Sequence, residues 1–163
     1  MKLNFFSKAN FFCFLTVLAI FFFDRITKIN ILILLKDKDY IFINDFLNLN
    51  LVFNTGIGFG LLSLNAGIYY NIISLFILLV IFILFYLLFK SKGFEKHSFS
   101  LIIGGALGNL YDRIFYKAVP DFIDLHIDNF HWFSFNIADI FITLGIILIL
   151  FNEFNSKNKN NET

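Results

Sequence analysis

Long apolar stretches separated by short polar segments dominate the pattern of positions along this chain. A helix needs about 20 mostly apolar residues to cross a membrane. Four stretches come close to that length, at about residues 9–29, 65–89, 98–115 and 135–153. The second contains no charged residue. We therefore predict an all-α integral membrane protein with four transmembrane helices in a single membrane domain, residues 1–154.

The segment between the first two stretches has a different period. Over residues 47–54, leucine or phenylalanine alternates with asparagine or valine. A period of two is typical of a half-buried strand, so we predict a small β-like outer loop between helices one and two. Gly56, Gly58 and Gly60 then supply a flexible turn. Such a loop can help to hold an extended substrate peptide, and an ordinary structured loop is the alternative.

The lysines predict the orientation in the membrane, because cytoplasmic loops are enriched in lysine and arginine. Lysines precede the first stretch, separate the second from the third and follow the fourth: Lys2, Lys8, Lys90, Lys92, Lys96, Lys157 and Lys159. We expect both termini to be cytoplasmic, including a polar, disordered tail over residues 155–163. The N-terminus resembles a signal peptide without a small-residue cleavage site, which indicates a retained first helix.

Composition excludes several classes of protein. The chain has 163 residues, of which 58% are hydrophobic and 15% charged, unlike a soluble globular domain. Its formal net charge of +1 argues against a nucleic-acid binder. Cys13 is the only cysteine and lies in an apolar run, so we expect a packing or lipid-facing residue and no disulfide within the chain.

Charged residues inside the first apolar stretch are costly unless they are paired or hydrated. Asp24 and Lys28 are four residues apart and share a helix face, with Thr27 beside them. We expect all three near the outer end of helix one. A pair that merely orients the helix and a pair that belongs to a functional site are both compatible with this spacing.

The third stretch combines small and polar residues. Gly104 and Gly108 form a small-xxx-small pattern, which lets a second helix approach closely. Asn109, Asp112 and Arg113 follow at i, i+3 and i+4 and form one polar stripe towards the outer end. A structural contact between Asp112 and Arg113 is the alternative to a role in a site.

Two further carboxylates are predicted to meet at the outer interface. Asp121 lies in the second outer loop, and Asp139 shares a face with Asn136 at the start of helix four, where the helix dipole favours an anion. Close carboxylates share a proton, so one can deprotonate water while the other donates to a scissile carbonyl. Cys13 and His97 are predicted on the inner side, which makes them poor nucleophile candidates.

The second outer loop also offers oxygen and nitrogen atoms that can bind a divalent ion. The residues are Asp121, Asp124, His126, Asp128 and His131. Their spacing matches no tight ligand signature, and we interpret them as a solvated loop in preference to a metal site.

Five motifs together resemble those of the lipoprotein signal peptidases (signal peptidase II). They are Asp24-x-x-Thr27-Lys28, Asn54-x-Gly56-x-x-Phe59-Gly60, Gly104-Gly105-Ala106-Leu107-Gly108-Asn109-x-x-Asp112-Arg113, Val119-x-Asp121-Phe122 and Phe135-Asn136-x-Ala138-Asp139. The motifs occur in the family's order and extend from helix one to helix four. Each motif alone is weak, whereas the set is specific.

The resemblance implies an aspartic endopeptidase of the bacterial inner membrane, with its active site at the outer, periplasmic face. It would remove signal peptides from diacylglyceryl-modified prolipoproteins, cutting before the lipidated cysteine. The implied catalytic pair is Asp121 and Asp139. The implied supporting or substrate-binding residues are Asp24, Lys28, Asn54, Gly56, Asn109, Asp112, Arg113 and Asn136. The resemblance implies no metal or organic cofactor, membrane lipid as a partner, and inhibition by globomycin.

Two departures and two competing classes accompany this interpretation. Pro120 stands where the family usually has an aliphatic residue, and Gly58 stands where it often has alanine, so the approach to Asp121 and the glycine turn can differ. A proton- or ion-coupled carrier would need polar residues near the midplane, whereas these cluster at one end. A membrane scaffold would explain the small-residue face but not the polar motifs.

Overall fold

The computed structural model describes residues 7–56 and 68–161. Within these ranges the chain is mostly helical, with a small sheet. The elements in chain order are α1 (Lys8–Leu34), β1 (Tyr40–Asn44), β2 (Leu47–Asn54), α2 (Ile68–Lys90), α3 (Gly93–Tyr116), β3 (Val119–Ile127), β4 (Phe130–Phe135) and α4 (Ile137–Asn161). The predicted positions of Gly58, Gly60 and the start of helix two at residue 65 lie outside the described residues.

Each predicted apolar stretch coincides with one of the helices. By length and composition, two segments of the described residues are suited to crossing a membrane: Tyr70–Lys90 and Ile137–Asn155, with mean hydropathies of 3.3 and 2.1. Only 11% of each apolar window is buried within the protein. Outward-facing residues such as Phe76, Phe82 and Phe151 therefore form a surface suited to lipid.

Helix α3 is central, because it packs against α1, α2 and α4. The predicted close approach at the small residues is confirmed on the α1 side. A Cβ added at Gly104 would lie 2.8 Å from the Cβ of Ile20, and one added at Gly108 would lie 2.5 Å from an Asp24 carboxylate oxygen. Glycine at these positions therefore lets α1 lie directly against the α3 backbone.

The strands form one antiparallel sheet in the order β1-β2-β3-β4. The predicted alternation in β2 is confirmed, because Leu49 and Leu51 pack on a core of Ile31, Leu35 and Phe122. The neighbouring residues Asn48 and Asn50 line a groove on the sheet.

The prediction of a β element confined to the first outer loop was incomplete, because β3 and β4 come from the second loop. Asp121, Asp124 and Asp128 interrupt the apolar alternation there, so the sequence alone predicts a solvated loop. The segment is a strand because it pairs with β2: Val52 lies opposite Asp121, and Phe53 lies opposite Pro120. Pro120 therefore lies within a regular strand.

The ends of helix four also differ from the prediction. Phe135 closes β4, so the helix begins at Ile137 and not at residue 135. At the other end, α4 continues to Asn161 through most of the segment predicted to be a disordered tail. No glycine or proline stops the helix after residue 145, and propagation adds one hydrogen bond for each residue fixed.

Replacing Gly104 by valine is expected to destabilise the protein by roughly 1–3 kcal/mol, because the added atoms overpack the contact between α1 and α3. Thermal unfolding of the purified protein in detergent measures the effect. The matched control is Ala106→Val, two residues away at a half-buried position of the same helix. Equal stability of the two variants would contradict the close-approach interpretation.

Candidate active site

Asp121 lies on β3 with its side chain buried and only 3% of the residue exposed. Its Oδ2 accepts a hydrogen bond from Asn54 Nδ2 at 2.9 Å, and its Oδ1 accepts one from Asn136 Nδ2 at 2.6 Å. Asn54 is held in turn, because its Oδ1 accepts from the backbone N–H of Gly56 at 2.8 Å. Both carboxylate oxygens are therefore fixed by amide donors from other elements.

Asp139 lies in the first turn of α4 and forms a reciprocal cap with Asn136. Asp139 Oδ2 accepts from the backbone N–H of Asn136 at 3.1 Å, and Asn136 Oδ1 accepts from the backbone N–H of Asp139 at 3.2 Å. This arrangement resembles a capping box, in which two unpaired helix donors are satisfied at once. The other carboxylate oxygen, Oδ1, accepts from Asn109 Nδ2 at 2.8 Å.

Asn136 therefore joins the two aspartates, since its amide nitrogen bonds Asp121 and its amide oxygen caps the helix at Asp139. The pKa of the Asp121 carboxyl is raised to about 6, chiefly by burial and secondly by the nearby negative charge of Asp139. The hydrogen bonds from Asn54 and Asn136 act in the opposite direction. Asp121 thus retains a proton at a pH at which an ordinary aspartate is ionised.

A fully buried lysine lies behind Asp139. Lys28 Nζ contacts Asp24 Oδ2 at 2.8 Å, Asn109 Oδ1 at 2.9 Å and Asp112 Oδ2 at 2.7 Å. The side chains of Asp24, Lys28 and Asp112 have no solvent-exposed surface. The predicted Asp24–Lys28 pair is present, and the structure shows that it also connects α1 to the polar stripe of α3.

Asp24 carries the same network to α4. Its Oδ1 accepts from the backbone N–H of Ala138 at 3.0 Å, which satisfies a donor of the first turn of that helix. Thr27, the other predicted polar residue of this face, donates to the backbone oxygens of Phe23 and Asp24 and so remains within its own helix.

Arg113 fastens the loop after β2. Its guanidinium donates to the backbone oxygen of Gly56 at 3.1 Å and to that of Asn109 at 3.2 Å. Asp112, the alternative partner considered for Arg113, pairs instead with Lys28 and Arg25. The predicted supporting residues Asn54, Gly56, Asn109 and Arg113 thus belong to one connected set of contacts around the aspartates.

Sequence reasoning missed Arg25. Its guanidinium forms a buried ion pair with Asp112 and lies 4.6 Å from the ring centroid of Tyr111 and 5.5 Å from that of Tyr116. Arg25 lies on α1, three positions before Lys28. The aspartate and the two tyrosines that it contacts all lie on α3. An arginine inside an apolar stretch was the available signal, because such a charge needs a buried partner.

A groove borders Asp139 on the surface between β4 and α4. Its volume is about 400 Å³, and apart from Asp139 it is lined almost entirely by apolar side chains: Leu125, Phe133, Phe135, Ile140, Thr143, Leu144 and Ile147. A site with a polar pair at the edge of an apolar groove can hold a molecule with a polar reacting group and a hydrocarbon chain.

The predicted nucleophile alternatives lie elsewhere. Cys13 is buried in a core cluster with Val17 and Phe99, and its sulfur is 4.0 Å from His97 Nδ1. The oxygen- and nitrogen-rich residues Asp124, His126 and His131 lie close together on the sheet.

Comparisons with known proteins show which family this chain is similar to. The family model "Signal peptidase (SPase) II" matches residues 16–155. A lipoprotein signal peptidase from Pelagibacter ubique is 48% identical over 88% of this chain and 89% of its own length. One from Blochmanniella pennsylvanica is 46% identical over 71% and 72%. A solved bacterial membrane enzyme shares 32% identity over 93% of this chain and 91% of its own, with a TM-score of 0.74.

Replacing Lys28 by methionine is expected to cost about 3–5 kcal/mol of stability, because Asp24 and Asp112 would remain buried with less compensating charge. Denaturant unfolding in detergent micelles measures the loss. Lys36→Met is the matched control, since Lys36 is exposed just beyond the end of the same helix. Unfolding of Lys28→Met at the native denaturant concentration would contradict the role of this network.

Proposed function

The chain belongs to the signal peptidase II family and is a membrane protease of lipoprotein processing, and from this premise we propose that Asp121 and Asp139 are its catalytic pair. The resemblance inferred from the motifs is thereby confirmed at the level of family and activity. The observation that carries the proposal is the side chain of Asn136, which bonds Asp121 and caps the helix turn that bears Asp139.

The pair acts by sharing one proton. With a pKa raised to about 6 by burial and by Asp139, Asp121 is suited to hold the proton, although the pair titrates as a unit. The ionised carboxylate removes a proton from a water molecule, whose oxygen attacks the scissile carbonyl, while the protonated carboxyl donates to the carbonyl oxygen. Collapse of the tetrahedral intermediate transfers a proton to the leaving amine and restores the shared proton.

The substrate is a prolipoprotein with a diacylglyceryl-modified cysteine, and cleavage occurs before that cysteine. Acyl chains hold such a cysteine in the bilayer, at about 0.8 kcal/mol per buried CH₂ group. The scissile bond therefore lies close to the membrane interface. The apolar groove beside Asp139 supports this proposal, because an acyl chain can lie against Ile140, Leu144 and Ile147 while the peptide reaches the aspartates.

All four helices cross the membrane in this proposal, including α1 and α3. The buried charges of these two helices are compensated inside the bundle by the network around Lys28. Their outward faces are apolar, as Phe22, Ile26 and Phe115 illustrate. A charge that faces a bundle interior and is paired there is the tolerated case in a membrane.

The site lies at the outer, periplasmic side of the bacterial inner membrane. Lys8, Lys90 and Lys92 lie at the opposite ends of the helices, which the positive-inside rule assigns to the cytoplasm together with both termini. Residues 1–154 then form a single membrane domain, followed by a polar cytoplasmic tail. Globomycin would bind at the same aspartates, as the family resemblance implies.

Asp121→Asn and Asp139→Asn are each expected to lower the cleavage rate by about 10²–10⁴-fold, because asparagine keeps the shape but cannot share the proton. The assay follows a purified diacylglyceryl-modified precursor in detergent or lipid. Asp45→Asn is the control, since Asp45 is exposed in the turn between β1 and β2. Cleavage at the native rate by either catalytic variant, if folded, would refute the assignment.

The pH profile of kcat/KM is expected to be bell-shaped, with an alkaline limb set by the raised pKa of Asp121, about 6, and not by an ordinary carboxyl. Asn54→Ala removes a hydrogen bond that stabilises the charged carboxylate, so this limb should shift to higher pH. Asn50 lies on the same strand but lines the groove on the sheet together with Asn48. Asn50→Ala should therefore leave the alkaline limb unchanged. A shift to lower pH in Asn54→Ala would contradict the proposed proton balance.

A further inference from the structure

The sheet carries a second polar cluster, separate from the aspartate pair. Asp124, His126 and His131 each offer one ligand atom, and these atoms all lie within 4.8 Å of one another. They line a groove of about 410 Å³ on the sheet. None of the described residues that line this groove belongs to the core of Ile31, Leu35 and Phe122.

The hairpin geometry brings the three side chains together. His126 and His131 are direct partners across the antiparallel β3–β4 pair, and their ring centroids are 5.2 Å apart. Asp124 precedes His126 by two residues, a spacing that places both on one face of a strand. His131 Nδ1 lies 2.7 Å from Asp124 Oδ2. Residues separated along the chain thus converge on one point.

Two buried polar atoms at this cluster have no hydrogen-bond partner among the described residues: His126 Nδ1 and Asn48 Oδ1. Asn48 lies opposite Asp124 across the β2–β3 pair and lines the same groove. A buried polar atom without a partner costs free energy. The Asp124–His131 contact alone leaves both atoms unsatisfied, whereas a bound cation would provide a partner for each.

The charge of the groove also favours a cation. Asp39 and Asp128 line it together with Asp124, and its lining residues within the described part of the chain include neither lysine nor arginine. These three carboxylates give the groove an acidic lining. Such a lining attracts a divalent cation, and no lysine or arginine among the described lining residues opposes its binding.

We propose that Asp124, His126 and His131 bind a divalent transition-metal ion of the zinc type, with Asn48 Oδ1 at the fourth position. Two imidazoles and a carboxylate form a ligand set that suits zinc better than calcium or magnesium. Zinc bonds of about 2.0–2.2 Å require ligand atoms roughly 3.3 Å apart. The ligand atoms lie within 4.8 Å of one another, and His131 Nδ1 and Asp124 Oδ2 are 2.7 Å apart, so binding needs small shifts of these side chains. The His131 side chain is 55% exposed, which leaves room for such a shift.

The ion would fasten β2, β3 and β4 to one another on the groove side. The sequence pattern Asp124-x-His126-x₄-His131 matches no tight ligand signature, because the β3–β4 turn and not the linear spacing brings the ligands together. The proposed ion takes no part in the reaction of Asp121 and Asp139. Its binding can therefore be tested without reference to proteolysis.

The test is titration of purified, full-length protein free of histidine tags with Zn²⁺ alone, by calorimetry and by competition with a chromogenic chelator. We expect one ion per chain. His126→Asn and His131→Asn should each weaken binding by at least about tenfold, since even outer partners of metal ligands contribute 10–100-fold. His97→Asn is the matched control, because the chain has three histidines and His97 lies on α3.

Spectroscopy separates a built site from adventitious binding. Co²⁺ should produce the visible absorption of a tetrahedral nitrogen- and oxygen-ligated ion in the native protein and in His97→Asn, and not in His126→Asn. A native protein that binds no Zn²⁺ would overturn the proposal. So would equal affinity of the native protein and the two hairpin variants, or loss of binding in His97→Asn alone. Asp121→Asn should bind Zn²⁺ with native affinity, which keeps this outcome independent of catalysis.

Discussion

The helices of this protein pack around a buried positive charge, which must stay paired with negative charges. Lys28 has no access to solvent and is shared by Asp24, Asp112 and Asn109. In an apolar environment, each of these groups would be costly alone. Together they hold α1 against α3 at a fixed height. Asp24 then extends the constraint to α4 through the backbone N–H of Ala138, next to Asp139.

The contacts around Lys28 also help to position the aspartate pair. Asn109 contacts Lys28 with its oxygen and Asp139 with its nitrogen, so the buried network is continuous with the proposed catalytic carboxylate. Asn136 continues the chain of contacts to Asp121. The two aspartates therefore differ in environment: Asp121 is buried and held by neutral amides, whereas Asp139 also borders an open groove. That difference is what a proton-sharing pair requires.

Helical periodicity explains which parts of the site could be predicted from the sequence. Asp24 and Lys28, like Asn109 and Arg113, are neighbours on one helix, and a spacing of four reveals them. Arg25 was missed because its partner Asp112 lies 87 positions away. The strands β3 and β4 were missed for a related reason. Their regular form depends on pairing with β2, and aspartates within them hide the alternation that a strand would otherwise show.

Strand β3 serves two surfaces because its aspartates are an odd number of residues apart. Asp121 and Asp124 are separated by three positions, and side chains alternate between the faces of a strand. Asp121 accordingly meets Asn54 and Asn136, whereas Asp124 meets His131 in the groove of the sheet. The groove side can therefore acquire its own ligands without displacing the carboxylate proposed to cut the substrate.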